Sequence, residues 1–138
     1  SSVAGDGIYH DVLRLTGPRI ILDGYVNFEQ NSDYIYRRIV IDDTIIASFY
    51  GDDIQTYNLY SWNPSSDSRK NTYSYRLPYG YGKYYSTDAV DYSIGARGVM
   101  IKLPALLPIR SSLVVEYMIT SGNTKAINTQ YGIWHVAG

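Results

Sequence analysis

The 138-residue chain contains no cysteine. Disulfide staples, thiolate metal sites and a thiol nucleophile are therefore excluded, and with them the small disulfide-built scaffold common among secreted domains. An excess of one charge is missing as well, since twelve basic residues meet thirteen acidic ones for a formal net charge of −1. Arg37-Arg38 and Arg69-Lys70 are isolated pairs, whereas nucleic-acid binding through phosphate contacts needs a basic stripe. Long apolar runs are absent too. The richest, Val99 to Ile109, is broken by Lys102, Pro104 and Pro108 and falls far short of the roughly 20 apolar residues of a membrane helix. The chain opens at Ser1 without a methionine; initiator removal, proteolytic maturation and excision from a longer polypeptide would each leave that start.

What the sequence has in excess is tyrosine. There are sixteen, against two phenylalanines and two tryptophans. A tyrosine ring combines a large apolar area with a polar tip, which suits surfaces that are half dry and half wet, such as subunit contacts and binding faces.

The length fits one domain over residues 1–138, large enough to bury about two thirds of its unfolded surface without staples. Apolar residues recur with period 2 nearly everywhere and are mostly β-branched or aromatic, so the chain reads as strands. The candidates are Val12 to Thr16, Arg19 to Phe28, Tyr34 to Ile41, Thr44 to Tyr50, Thr56 to Trp62, Thr72 to Leu77, Tyr84 to Ile94, Gly98 to Leu103, Leu113 to Thr120 and Gly132 to Val136. Turn chemistry separates them every 8 to 12 residues or so, the pattern of an all-β antiparallel sandwich of eight to ten strands. In the third candidate, Ile35, Arg37, Ile39 and Ile41 face one way, and Tyr36, Arg38 and Val40 the other. Leu113 to Ile119 is apolar on both faces except for Glu116, as expected of a strand central in its sheet or covered by a partner.

No catalytic constellation emerges. His10 and His135 lie in no spacing that would bring two ligands together, and no serine sits in a Gly-x-Ser-x-Gly elbow. Asp42-Asp43 could offer carboxylates to calcium, but between Ile41 and Thr44 it reads as a two-residue hairpin turn. Gly80-x-Gly82 lacks the following helix of a phosphate loop and reads as a turn carrying tyrosines. The chain is accordingly expected to be no enzyme and to need no cofactor or metal.

The dense aromatic cluster is the candidate site. Tyr57, Tyr60, Trp62, Tyr73, Tyr75, Tyr79, Tyr81, Tyr84 and Tyr85 fall in 29 residues. Burying all of them would demand partners for many hydroxyls. A subunit contact and a glycan-stacking face are the alternatives, the latter with Asn58, Asn63, Asp67 and Arg76 donating and accepting hydrogen bonds. Tyr25, Tyr34, Tyr36 and Tyr117, outside the cluster, are accounted for by strand propensity and burial.

Three short motifs add a resemblance. Leu13-x-Leu15-Thr16-Gly17, then Ile39-Val40-Ile41-Asp42-Asp43-Thr44-Ile45-Ile46, then Leu107-Pro108-Ile109-Arg110-Ser111-Ser112-Leu113-Val114-Val115-Glu116-Tyr117 resemble small β-sandwich structural or receptor-binding proteins of tailed bacteriophages. Asp43 stands where those proteins usually carry glycine. The resemblance implies a jelly-roll-like sandwich on a virion, as head decoration, neck or tail component, or receptor-binding tip. It also implies assembly in the host cytoplasm, homo-oligomers with trimers frequent, other virion proteins as partners, and a host-surface glycan as the alternative partner.

Overall fold

A computed structural model describes residues 2–28, 34–50, 53–57, 80–85, 97–127 and 129–138. Within them the protein is all-β and contains no helix. The strands are β1 (Ser2–Val3), β2 (His10–Thr16), β3 (Arg19–Phe28), β4 (Ile35–Ile41), β5 (Thr44–Tyr50), β6 (Asp53–Tyr57), β7 (Gly80–Tyr85), β8 (Arg97–Leu103), β9 (Leu107–Ile109), β10 (Ser112–Ile119), β11 (Lys125–Ala126) and β12 (Thr129–Ala137). Two five-stranded antiparallel sheets pack against each other. Sheet I has the order β2-β10-β4-β5-β6; sheet II has β12-β3-β8-β7, with β9 continuing the β8 side of β3. A two-stranded ribbon, β1 with β11, closes onto the same core through the buried Val3. Successive strands β2, β3 and β4 alternate between sheets, and late β10 lies between early β2 and β4. That interleaving joins the two sheets into one antiparallel, sandwich-like unit.

Period-2 alternation explains which faces meet. On β4, Ile35, Arg37, Ile39 and Ile41 are buried while Tyr36, Arg38 and Val40 are half-buried. On β10, Leu113, Val115, Tyr117 and Ile119 join them, facing Ile21, Val26 and Phe28 of β3 and Ile101 and Leu103 of β8. Each such aliphatic side chain contributes about 1.5–3 kcal/mol by leaving water. The layers touch where the Phe28 and Tyr117 rings lie 6.0 Å apart. The Tyr117 hydroxyl shares a hydrogen bond with that of Thr129 on β12. As the apolar pattern implied, β10 is central, and its outward Val114 is nearly closed off by its neighbours.

Adjacent arginines have opposite fates. Arg37 is fully buried, its guanidinium 5.5 Å from the Phe28 ring centre and donating to the Phe28 carbonyl at 3.4 Å. Arg38 lies on the outer face.

Two turns fix the register of sheet I. Asp42 and Asp43 both have positive φ, 49° and 64°, as a two-residue hairpin with the twist of its strands requires. The carboxylate of the first also reaches across to the backbone amides of the β9–β10 turn. Gly17 sits against the same turn, its N–H donating to the Ser111 carbonyl at 2.7 Å. A Cβ at Gly17 would stand 2.6 Å from the Arg110 carbonyl oxygen, so backbone approach this close requires glycine.

Several expectations are corrected. Gly80 and Gly82 are not in a turn: β7 starts at Gly80 and pairs with β8, because a ladder partner and the tyrosine-rich neighbourhood outweigh the weak strand preference of glycine. The Pro104 to Pro108 stretch contains β9, in which Pro108 stands opposite Ile20 at the margin of the sheet. Asp53 begins β6, not a turn. Tyr34 precedes its strand in a left-handed conformation, φ 74°, and is exposed. The candidate strand Thr72 to Leu77 lies outside the described residues.

Candidate contact surface

Of the tyrosine cluster, Tyr60, Trp62, Tyr73, Tyr75 and Tyr79 lie outside the described residues. For Tyr57, Tyr81, Tyr84 and Tyr85 the strand register is defined: Tyr57 pairs with Ala47, and Tyr81, Tyr84 and Tyr85 pair with Ile101, Gly98 and Arg97. The cluster therefore contributes to one edge strand of each sheet among the described residues, β6 and β7.

Among the described residues, the aromatic and charged side chains near Arg38 on the outer face of sheet I pair with one another. The Tyr9 ring lies under the Arg38 guanidinium, 3.6 Å from its centre, and Arg38 Nε donates to Glu116 Oε1 at 3.3 Å. Burial pushes the Tyr9 phenol above its usual pKa against the pull of Arg38, helped by Glu116 and Tyr36. Next along, the Tyr36 and Tyr50 rings pack 4.5 Å apart, and the Tyr50 hydroxyl accepts from the Tyr34 amide at 3.3 Å. Rings, cation and carboxylate find partners within the chain.

The outer face of sheet II is more open. Register sets Gly132 of β12 beside Tyr25 of β3, which in turn stands beside Lys102 of β8. Gly132 creates the space in which two rings meet: a Cβ there would lie 2.8 Å from Tyr25 Cε1 and 3.1 Å from Trp134 Cη2. Asp23, opposite Trp134, is paired with the Lys102 ammonium, which holds its carboxyl below the usual range. The rest of this margin is apolar and exposed. Trp134 keeps 58 % of its surface in water, with Val136 further along β12 and Leu22 on β3 also exposed; Tyr131, 52 % exposed, stands opposite core-facing Val26 and lies on the other face of β12.

Neither histidine enters a catalytic arrangement among the described residues. His10 Nε2 meets the Asp6 carboxylate at 2.9 Å on the surface, and His135 Nδ1 accepts from Arg19 Nη1 at 3.2 Å. They belong to different sheets. Among the described residues, no group of three histidines and carboxylates could hold a metal.

Sequence reasoning missed Tyr131 and Trp134, drawn away by the denser cluster upstream. A signal was present: Thr129 to Ala137 is a nine-residue strand with two aromatics and no Asp, Glu, Lys, Arg or Pro. No protein-family model, curated protein or solved structure matches the chain.

Proposed function

We propose that this chain is a non-enzymatic structural protein of a virion, a sandwich building block that works through protein–protein contacts. The observation carrying this reading is the apolar margin of sheet II, where Tyr131, Trp134, Val136 and Leu22 remain exposed on adjacent strands. Two large exposed aromatics on one strand, with exposed aliphatic neighbours, mark a contact site. The phage-protein resemblance supplies the setting: head decoration, neck or tail. Mass spectrometry of purified phage particles, with light scattering of the isolated chain, tests it. The chain is expected in stoichiometric amount in a particle and as an oligomer in solution; a monomer found in no particle overturns the reading.

A second reading is favoured by Trp134 and Tyr25 meeting over Gly132 beside the Asp23–Lys102 pair. Exposed rings flanked by charged hydrogen-bonding groups suit the apolar face and hydroxyls of a sugar, as in a receptor-binding module. A glycan array with wild type and Trp134→Ala tests it: binding lost in the variant supports it, and no binding by wild type removes it.

A further inference from the structure

The margin of sheet II is an edge as well as a face. Among the described residues, β12 pairs with β3 on one side and with nothing on the other, so every second residue points its N–H and C=O away from the sheet. Exposed edges in monomeric proteins are protected by charges, proline, bulges or shortness. The edge strand β2 of sheet I follows that rule. It carries Asp11 and Arg14, joined by a 2.8 Å hydrogen bond, and is bulged at Val12 against β10. β12 has none of these protections. It is nine residues long and carries no Asp, Glu, Lys, Arg or Pro, and the irregularity in its ladder falls on β3 at Leu22, leaving β12 itself unbulged.

We infer that β12 is a strand-addition edge whose occupant is β12 of a second copy of this chain, paired antiparallel about a two-fold axis at Gly132. This deepens the structural-protein reading above and rests on it for the biological setting. Self-pairing brings each residue against a like neighbourhood, so a single formal charge near the axis would repel its own copy; the absence of such charges selects a second copy over a partner of opposite charge. With the axis at Gly132, Tyr131 stands opposite Ile133 of the second copy, an aromatic–β-branched pair of the kind that stabilises antiparallel ladders. The pair occurs twice. Gly132 meets its own counterpart, and the two Trp134 indoles, each folded over its own glycine, come together at the axis. The two sandwiches then share one continuous sheet, and the exposed apolar margin becomes its middle.

The test uses Tyr131→Lys, a charge placed at an already exposed position of the edge. Light scattering is expected to show a wild-type dimer, with Tyr131→Lys weakening it about 100-fold, roughly 10-fold for each lysine across the two-fold, while far-UV circular dichroism keeps the wild-type strand signal. Should that variant not fold, Gln130→Lys on the same strand takes its place. Register is read by oxidising an equimolar mixture of Tyr131→Cys and Ile133→Cys, since the native chain has no cysteine and facing residues lie within disulfide reach. The mixed disulfide should dominate. A monomeric wild type, a dimer indifferent to the lysine, or only homodisulfides overturns the inference. If the chain is present in a particle while the lysine changes nothing, edge pairing falls and the structural-protein reading stands. If the edge dimer forms but no particle contains the chain, the pairing stands and the virion reading falls.

Discussion

Asp42 and Ser111, 69 residues apart, are joined twice: the Ser111 amide donates to Asp42 Oδ1 at 2.7 Å, and the Ser111 hydroxyl to the same oxygen at 3.0 Å. The Arg110 amide reaches Oδ2 at 2.9 Å and the Ser112 amide Oδ1 at 3.1 Å. One carboxylate thus ties the β4–β5 hairpin to the turn that launches the central strand β10. Partial burial opposes its ionisation, but the backbone donors of Ser111, Arg110 and Ser112 and the serine hydroxyl outweigh it, holding the pKa at about 2 against an ordinary 3.8.

The acid response follows. A carboxyl depressed on folding stabilises the protein fully above its unfolded pKa, and the contribution fades as pH falls from about 4 toward about 2. Asp42→Asn should therefore lower stability at neutral pH by about 1–2 kcal/mol, the scale of charged hydrogen bonds at a partly exposed site. The gap to wild type should shrink over that acid window. Urea unfolding at pH 7 and at pH 2.5 checks both statements.

Asp43 has positive φ without glycine's freedom. Asp43→Gly should raise stability by about 0.5–1 kcal/mol, while Asp43→Val should lower it by at least as much, because a β-branched residue resists the left-handed region more strongly. Thermal melts of the three proteins provide the comparison.

Arg37 and Arg38 offer a contrast within one dipeptide. Arg37→Ala empties a fully buried position beside Phe28 and should cost about 3 kcal/mol or more. Arg38→Ala loses a half-exposed contact to Tyr9 and Glu116 and should cost about 1 kcal/mol. Equal losses in chemical denaturation would contradict the assigned facing of β4.

Gly132→Ala should displace the rings of Tyr25 and Trp134, since the new methyl would fall within 2.8 Å of one and 3.1 Å of the other. Because side chains rather than backbone must yield, the cost should stay near 1 kcal/mol. The readout is a shift in tryptophan emission that Trp134→Phe abolishes.

The sequence by itself determined the class and most of the strands. Arg19 to Phe28 and Thr44 to Tyr50 were legible to the residue, since period 2 and β-branching are local properties of a pleated strand. The facing of β4 and the hairpin at Asp42-Asp43 were equally local. Tertiary structure alone decided which strands became neighbours: β10 between β2 and β4, and β12 at a margin. That is why Arg37 could be placed on the core side from its sequence position while its contact with Phe28 could not. It also hid the exposure of Trp134 and Tyr131, which depends on what lies beside β12 and not on its composition. Tyrosine excess pointed to contact surfaces in general; the unprotected edge at Gly132 emerged only once the sheets were assembled, because backbone valence is left open by topology, not by residue type.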